Sequence, residues 1–254
     1  MQRLSIVIIC KNEADVIAET LTSFSGLTDD IIVFDNDSTD GTQEIVRKTK
    51  ARLFEGGWEG FGKTKNKANA LAKYDWILSL DADEAIENVL KQNLVQLNLT
   101  DDRIVYEFRF KNFLANKWLR FGEWGRDKHL RLFNRKWVRW NDAAVHESLI
   151  IPEGVAILSL KGYVLHRTAG TIKEYEEKMK RYAMLNAEKY LKQGKKNSAI
   201  QMLFSPAFSF IKNYFFKLGF LDGVVGYQCA KINARYTFLK YKQLQKFNED
   251  TDKK

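Results

Sequence analysis

The sequence predicts an α/β protein in which a largely parallel sheet is flanked by helices and followed by a helical extension. Three observations support this prediction. Short apolar runs of strand length alternate with helical patterns through the first half of the chain. Polar clusters directly follow three of these runs. The last third of the chain combines helix formers with basic and aromatic residues.

The alternating runs give the order of the first elements. Strands are predicted at residues 4–10, 31–35 and 76–80. Each run is apolar throughout, which is typical of strands buried on both faces. Helices are predicted at residues 15–24, 41–50 and 63–73. In such sheets ligands bind beyond the carboxyl ends of the strands, where the strand order reverses, so the polar clusters are expected to meet in one crevice.

The pattern changes after residue 103. Longer runs with alternating faces predict antiparallel or mixed strands within 103–110, 129–133 and 154–166. A long helix is predicted after His166, with Thr171 as its N-terminal cap and Gly194 as its stop. We therefore expect a first domain at residues 1–169 and a helical extension at residues 170–254.

The excess positive charge lies in the extension. The 254-residue chain has a net charge of +9, and residues 170–254 hold 17 Lys and Arg against 8 Asp and Glu. Apolar residues mixed with lysines are typical of helices in a membrane interface. The alternative is an amphipathic helical pair packed on the first domain or on a second subunit of a homodimer. No nucleic-acid-binding motif accompanies the charge, so nucleic acid is not an expected partner.

Cysteine usage and the N-terminus predict a cytoplasmic location. Cys10 and Cys229 lie far apart in apolar contexts, without the spacing of metal ligands. The first apolar run is too short to span a bilayer and is followed at once by charged residues. If the extension binds lipid, the protein is expected to be peripheral at the inner face of the cytoplasmic membrane.

An acidic cluster follows the strand predicted at residues 76–80. Asp81, Asp83 and Glu84 fall within four positions. Like charges this close raise one another's pKa unless a cation or solvent relieves the repulsion. Mg²⁺ and Mn²⁺ bind carboxylate oxygens and keep positions for water and substrate phosphates. Asp81 and Asp83 therefore predict a divalent-cation site, and Glu84 is expected to begin the next helix.

Two further polar clusters suit a nucleotide. In "DNDSTDGT", Asp35 and Asn36 offer hydrogen-bonding groups for a base or a ribose, while the residues after them cap the next helix. The glycine-rich "EGGWEGFGKTKNKA" places Lys63, Lys65 and Lys67 ahead of another helix. Their charge suits a diphosphate.

Four ordered motifs resemble those of family 2 glycosyltransferases with the GT-A fold. They are "SIVIICKNEADVIAETLTSF", "IIVFDNDSTDGTQEIV", "WEGFGKTKNKA" and "WILSLDADE". More closely, these motifs resemble the subgroup that includes the lipopolysaccharide core β-1,4-glucosyltransferases, and the rest of the chain matches more loosely through "HLRLFNR", "VHESL", "VLHRT" and "EKMKRYA". The resemblance implies a UDP-sugar donor, Mg²⁺ or Mn²⁺, inversion at the anomeric carbon, and a glycolipid or cell-envelope glycan as acceptor.

The resemblance also implies roles for individual residues. The nucleoside pocket is expected at Lys11, Asn12, Glu13, Asp35 and Asn36. The family frequently has a second Asp at the position of Asn36. Donor ribose and diphosphate are expected at Asp81 and Lys63, and the metal at Asp83, Asp81 and His166. In "KMKRYA", similar to a Gln-x-x-Arg-Trp motif of processive members, the leaving diphosphate is expected to meet Lys178, Arg181 and Tyr182.

An inverting transfer needs a base that takes the proton of the acceptor hydroxyl. By position, Glu147 in "AAVHESL" is the expected base, and His146 is expected to orient it or to hold substrate. Asp142 and Glu123 are the reserve candidates. Since Arg pairs with phosphate oxygens and Trp stacks on sugar rings, the acceptor is expected at Trp124, Arg126 and Arg131.

Two other functions fit part of the sequence. A sugar-phosphate nucleotidyltransferase shares the α/β sheet and the carboxylate-bound metal, but it would normally show a glycine-rich loop where this chain has "IICKNEADVI". A membrane-attached scaffold with a decayed site is the non-enzymatic alternative. The intact "DADE" and Asp35 argue against it.

Overall fold

A computed structural model of the chain describes residues 1–143, 147–196 and 199–252. The chain divides into two compact units. The first comprises Met1–Phe110 and Lys128–His166, and the second comprises Lys111–Asp127 and Arg167–Lys254. Residues 111–127, which the sequence predicts in the first domain, group with the helical extension.

The first unit begins with four parallel strands. They are β1 (Leu4–Cys10), β2 (Asp30–Asp35), β3 (Arg52–Glu55) and β4 (Trp76–Asp81). β1 lies between β2 and β4, and β3 pairs with β2. The helices along this part of the chain are α1 (Ile17–Ser23), α2 (Thr42–Arg47) and α3 (Phe61–Ala70). The predicted strands and helices of this half are therefore present, while the short strand β3 was not predicted.

The sheet continues with strands of mixed direction. In chain order the next elements are β5 (Glu84–Ile86), α4 (Asn88–Gln96), β6 (Ile104–Leu114), β7 (Lys117–Leu119), β8 (Lys128–Asn134), β9 (Arg139–Trp140), β10 (Leu149–Ile150) and β11 (Ala156–Ala169). Among the described residues the strand order is β3-β2-β1-β4-β8-β6-β11-β5, with β7 on β6 and a separate β9–β10 pair. β8 runs antiparallel to β4 and β6, and β11 runs antiparallel to β5.

The core lies on both faces of the parallel strands. Because side chains alternate along a strand, Ile6 and Ile8 of β1 pack into one apolar layer and Val7 and Ile9 into the other. The first layer contains buried residues of α1, α2 and α4, and the second contains buried residues of α3. Helices thus cover both faces of the sheet. The predicted Rossmann-like mixed sheet with flanking helices is confirmed.

The second unit is mainly helical. Its helices are α5 (Ile172–Lys192), α6 (Ala199–Ile211) and α7 (Gly223–Asp252), with a π-helical turn (Lys212–Phe216) and a 3₁₀ turn (Gly219–Asp222) between α6 and α7. The predicted cap is present, since Thr171 Oγ1 accepts a hydrogen bond from Glu174 N at 3.1 Å. Gly194 has a φ of 66°, a conformation suited to glycine after a helix. The predicted C-terminal helical extension is confirmed.

No helix in the described part of the chain combines the length and apolarity needed to cross a membrane.

Candidate active site

Three polar clusters meet at the carboxyl ends of the parallel strands. β1, β2 and β4 end at Cys10, Asp35 and Asp81, and their register aligns Cys10 with Asp35 and Ile9 with Asp81. Between β1 and β4 the order of the strands reverses, which is where open α/β sheets bind ligands. The structure therefore brings the clusters after these three strands to one edge.

The loops after β1 and β2 are tied together. Asn12 Oδ1 accepts a hydrogen bond from Thr39 N at 2.8 Å, and Asn12 N donates to Ser38 Oγ at 2.8 Å. Asn12 and Asp37 both adopt positive φ, which Asn and Asp tolerate better than most residues. Lys11 and Asn12 are exposed and Glu13 is half-buried, so this pair of loops presents polar groups to solvent beside the strand ends.

Asp35 is fully buried and holds the turn into α2. Its carboxylate accepts hydrogen bonds from Ser38 N at 2.9 Å and from Gln43 Nε2 at 2.7 Å, and Ser38 Oγ and Cys10 Sγ also donate to it. Burial disfavours the charged form, but the hydrogen bonds from Ser38 and Gln43 outweigh burial and lower the pKa of Asp35. This structure thus gives Asp35 a loop-positioning role, and its predicted contact with the nucleoside stays a prediction.

Asn36 has a buried acceptor without a partner. Its Nδ2 donates to Cys10 O at 3.0 Å, while among the described residues no group hydrogen-bonds to its Oδ1. A buried polar atom without a partner costs free energy and is commonly satisfied by a ligand or water. An unpartnered oxygen at this position fits the predicted contact of Asn36 with the nucleoside of the donor substrate.

Asp81 lies between two cations supplied by the protein. Lys65 Nζ is 2.9 Å from Asp81 Oδ1, and Arg131 Nη2 is 3.4 Å from Asp81 Oδ2. Lys65 is 1 % exposed and its ammonium also lies 4.7 Å from the centre of the Trp140 ring. The repulsion expected among the carboxylates after β4 is therefore relieved by buried side chains of this chain.

The pKa values follow from this arrangement. Burial opposes ionisation of Asp81, but attraction by Lys65 and Arg131 outweighs burial, and the pKa of Asp81 lies well below its usual range. Burial likewise opposes the charge of Lys65, yet Asp81 and Glu147 raise its pKa. Both groups are therefore charged at neutral pH.

Glu147 shares Lys65 with Asp81. Lys65 Nζ donates to Glu147 Oε1 at 2.7 Å, and the Glu147 side chain is 14 % exposed. Gly62 allows α3 to approach the backbone of Asn141, directly after β9, because a Cβ at Gly62 would lie 1.7 Å from Asn141 O. Asn66 fixes the same helix by exchanging hydrogen bonds with the backbone of Trp140. His146 lies outside the described residues.

Asp83 and His166 form a second group beside the first. His166 Nε2 is 3.3 Å from Asp83 Oδ2, and the pairing of β11 with β5 sets His166 opposite Glu84. An imidazole nitrogen and a carboxylate oxygen suit Mn²⁺, while Mg²⁺ favours oxygen ligands. Within the described ranges no cluster of three His, Cys, Asp or Glu side chains is arranged to hold a metal ion. Asp83 and His166 thus fit an ion that takes its other ligands from water and a diphosphate.

One expectation for this region is wrong. Glu84 does not begin a helix: it is buried in β5, and Arg131 binds its carboxylate through Nε at 3.1 Å and Nη2 at 2.6 Å. Arg131 is 7 % exposed and bonds Glu84 and Asp81, and its predicted contact with the acceptor stays a prediction. Its bidentate contact fixes the carboxylates, which is a role that buried Arg performs well.

The remaining candidates belong to α3 and to elements of the second unit. Lys63 is exposed on α3, within the helix and not ahead of it. Lys178, Arg181 and Tyr182 lie on α5 in the second unit, where Lys178 Nζ donates to Thr168 O at 3.2 Å. Trp124 and Arg126 also belong to the second unit. Trp124 packs edge-on against Tyr175, with ring centres 5.1 Å apart, and Arg126 is exposed.

The two reserve candidates for the base have different surroundings. Asp142 is exposed in the loop after β9. Glu123 belongs to the second unit and accepts hydrogen bonds there from Asn233 and Asn213.

Lys65 is the functional candidate that sequence reasoning did not single out. Three lysines in "KTKNK" look alike by composition. A signal was present, however, because Phe61, Lys65, Ala68 and Ala72 share one stripe at helical spacing, and this stripe faces the core. A lysine inside an apolar stripe indicates a buried charge with a carboxylate partner.

Comparison with known proteins identifies similar sequences along the chain. Residues 5–148 match the family model described as "Glycosyl transferase family 2". The chain is 28 % identical over 243 residues to the lipopolysaccharide core biosynthesis glycosyltransferase LpsC of Rhizobium meliloti, covering 93 % of this chain and 89 % of LpsC. It is 26 % identical over 258 residues to a glycosyltransferase of Rickettsia typhi, covering 98 % of this chain and 88 % of that protein.

Solved structures show more distant likeness. S. aureus TarS in complex with UDP aligns over 98 % of this chain and 92 % of that chain, with a TM-score of 0.47 and 16 % identity. Glucosyl-3-phosphoglycerate synthase from Mycobacterium tuberculosis, in complex with Mg²⁺ and UDP, aligns over 44 % of each chain, with a TM-score of 0.36 and 25 % identity.

Proposed function

This chain belongs to glycosyl transferase family 2, and we propose that it moves a hexose from a UDP-sugar to a hydroxyl group of a glycolipid or cell-envelope glycan, with inversion. The residues matched by the family model include Lys65, Asp81, Asp83 and Glu147, whereas His166 on β11 follows the matched range. The match shows membership of the family. The donor, the acceptor, the stereochemistry and the residue roles are our proposals.

One observation carries the proposed residue roles. Lys65 Nζ lies 2.9 Å from Asp81 Oδ1 and 2.7 Å from Glu147 Oε1, so a single buried cation joins the carboxyl end of β4 to the expected base. The donor side of the site and the base are thereby held in a fixed geometry. Fixed placement of reacting groups is a major source of catalysis in transfer reactions.

Glu147 acts as the general base in this proposal. Its carboxylate accepts the proton of the acceptor hydroxyl while the hydroxyl oxygen forms a bond to the anomeric carbon and the bond to the diphosphate breaks. Lys65 holds Oε1, so Oε2 is assigned as the oxygen that takes the proton. Lys65 keeps its own proton, since its pKa is raised by the two carboxylates.

The donor is assigned to the loops after β1, β2 and β4. Asn36, with its buried unpartnered oxygen, and the exposed loop at Lys11 and Asn12 are placed at the nucleoside. Asp83 and His166 would hold Mg²⁺ or Mn²⁺ on the diphosphate, and the chemistry expected from such an ion is neutralisation of the charge that develops on the leaving group. We leave Asp81 out of the metal ligands, because Lys65 and Arg131 face both of its oxygens.

The acceptor class rests on sequence similarity. LpsC carries the name of a lipopolysaccharide core biosynthesis glycosyltransferase, and the alignment with it covers most of both chains. We therefore propose an envelope glycolipid, such as the lipopolysaccharide core, as acceptor, and the cytoplasmic side of the membrane as the place of reaction. Lys178, Arg181 and Tyr182 stay proposed contacts of the leaving diphosphate, and Trp124 and Arg126 of the acceptor.

The test separates donor binding from transfer. Purified protein is screened with nucleotide sugars and Mn²⁺, and UDP release is followed with and without lipopolysaccharide core acceptors. Glu147→Gln is expected to bind UDP as the unmodified protein does and to lose transfer by about 10²- to 10⁴-fold, because it removes the base and keeps the side-chain size. Glu153→Gln, an exposed position in the loop before β11, is the matched control.

Three outcomes would contradict the proposal. Normal turnover by Glu147→Gln would exclude Glu147 as the general base and leave Asp142 and Glu123 as the candidates. Release of pyrophosphate from a sugar phosphate and UTP would identify a nucleotidyltransferase. Absence of transfer with every nucleotide sugar, together with absence of UDP binding, would support a scaffold.

A further inference from the structure

The helix α6 presents an apolar face that its own unit does not cover. Ile200, Leu203, Phe204, Phe208 and Ile211 recur at spacings of three and four residues, so they share one side of the helix. All five are exposed, and Leu203 is 70 % exposed. An exposed apolar stripe of this length on a helix marks an interaction surface.

The apolar surface continues past the end of α6. The π-helical turn, the 3₁₀ turn and the start of α7 add exposed apolar side chains: Phe215, Phe216, Leu218, Phe220, Leu221, Val224 and Tyr227. Phe216 is 74 % exposed. Ring contacts join the parts, since Phe210 lies 6.5 Å from Phe215 and 6.0 Å from Tyr227 between ring centres. We call this continuous surface, from Ile200 to Tyr227, the aromatic face.

The aromatic face is held in place by buried polar contacts. The Asp222 carboxylate, 3 % exposed, accepts hydrogen bonds from Phe121 N at 2.9 Å and Arg120 N at 3.2 Å. Gly219 and Gly226 bring the 3₁₀ turn against α7, because a Cβ at Gly226 would lie 2.1 Å from Gly219 O. The turn is thus anchored by its backbone and by Asp222, and its apolar side chains Phe220 and Leu221 are left exposed.

The exposed charges that this segment itself carries have one sign. Between residues 199 and 231 the charged side chains are Lys212, Lys217 and Lys231, all exposed, and Asp222, which is buried. Lys195 and Lys196 precede α6 and are also exposed. An apolar surface edged by lysines, without an exposed carboxylate among these residues, is complementary to an anionic lipid surface.

We propose that the aromatic face binds the surface of a membrane containing anionic lipid, with Phe204, Phe208 and Phe216 in the interface and Lys212 and Lys217 at the phosphate groups. A second copy of this chain fits the face less well, because symmetric pairing would bring the same lysines together without opposing carboxylates. The inference concerns attachment and does not depend on the transfer reaction.

The test is sedimentation of the full chain with vesicles of phosphatidylcholine, with and without phosphatidylglycerol. Binding is expected with phosphatidylglycerol and is expected to weaken as salt rises. Phe204→Ser with Phe208→Ser should weaken binding by about tenfold or more for each ring removed from the interface. Lys212→Gln with Lys217→Gln should weaken it by about fivefold for each lysine, only on the anionic vesicles.

The controls use exposed positions on two other helices, α4 and α5. Val95→Ser on α4 and Lys180→Gln on α5 should bind vesicles as the unmodified chain does. Circular dichroism checks that each variant is folded. Equal binding by the unmodified chain and the Phe204→Ser, Phe208→Ser variant, or no binding to either vesicle, would overturn the proposal. So would a dimer in analytical ultracentrifugation without lipid that these two substitutions dissociate, since it would assign the face to a second copy.

Discussion

At the scale of single residues, the site depends on a buried lysine. Lys65 is almost completely buried and its ammonium meets Asp81, Glu147 and the ring of Trp140. A buried charge is tolerated only when it is paired, and removal of one partner leaves the others uncompensated. We therefore regard Lys65 as a positioning residue for both carboxylates.

Replacement of Lys65 tests this role. Lys65→Met should lower the free energy of unfolding by at most about 3–5 kcal/mol, because it leaves the partly exposed carboxylates of Asp81 and Glu147 without their shared cation. Lys65 lowers the pKa of Asp81, so its loss should raise that pKa, and the acidic limb of the pH profile of kcat/KM should move to higher pH. Lys65→Arg should restore part of the free energy of unfolding and part of the original pH profile. Chemical denaturation and pH-rate profiles measure the effects.

A matched variant on the same helix serves as the control for stability. Lys67 is exposed and pairs with Glu59 at the surface. Lys67→Met should change the free energy of unfolding by no more than about 0.5 kcal/mol. If Lys65→Met were as stable as Lys67→Met and kept the pH profile, the positioning role would be wrong.

At the scale of elements, the turn from β2 to α2 is built around the carboxylate of Asp35. Backbone and side-chain donors from Ser38 and Gln43 converge on it, and the adjoining turn receives the loop after β1 through Asn12. The short helix α2 is therefore fixed at its start by a buried acceptor on the preceding strand. The same turn carries Asn36.

Asp35→Asn should destabilise the protein in a pH-dependent way. At pH 7 the expected loss is about 1–3 kcal/mol, because an amide places donors where the turn supplies donors. The pKa of Asp35 is lowered by folding, so its contribution is present above the unfolded pKa of about 4 and is lost as pH falls through the folded value. The difference between the two proteins should therefore shrink below about pH 4.

Urea denaturation at several pH values measures this difference. The exposed Asp37, two residues along the same turn, gives the control Asp37→Asn, because Asn tolerates its positive φ. If the difference in the free energy of unfolding between Asp35→Asn and the unmodified protein stayed constant from pH 7 to pH 3, the charge of Asp35 would not stabilise the turn.

At the scale of the whole molecule, the sheet assembles the site from distant segments. The parallel strands bring the ends of β1, β2 and β4 together, and the return of β11 alongside β5 places His166 beside Asp83. A ligand that spans these ends should stabilise the native state against unfolding by mass action.

UDP with Mn²⁺ should therefore raise the thermal midpoint. At a concentration of about 100 times Kd the gain is about 2.7 kcal/mol, which is about 5–10 °C for a protein of this size. Asp83→Asn should lose the part of the shift that depends on Mn²⁺, and Asp101→Asn in the exposed loop before β6 should keep it. An unchanged Mn²⁺-dependent shift in Asp83→Asn would contradict the metal assignment.

The sequence by itself determined the fold class, the family and the clusters at the strand ends. Apolar runs of strand length, helical periodicity and four ordered motifs are local signals, so β1, β2, β4 and the cap at Thr171 followed from them. Short strands such as β3 and β5 carry too few residues for a clear pattern.

Only the tertiary structure decided how the charges pair. Glu84 and Arg131 are 47 positions apart, and Lys65 and Glu147 are 82 apart. A sequence pattern shows that a charge is present, but its partner and its burial depend on which strands and helices come together in space. The sequence predicted that a cation lies beside the carboxylates after β4. In the structure Lys65 and Arg131 supply positive charge at Asp81, because α3 and β8 bring these side chains to it.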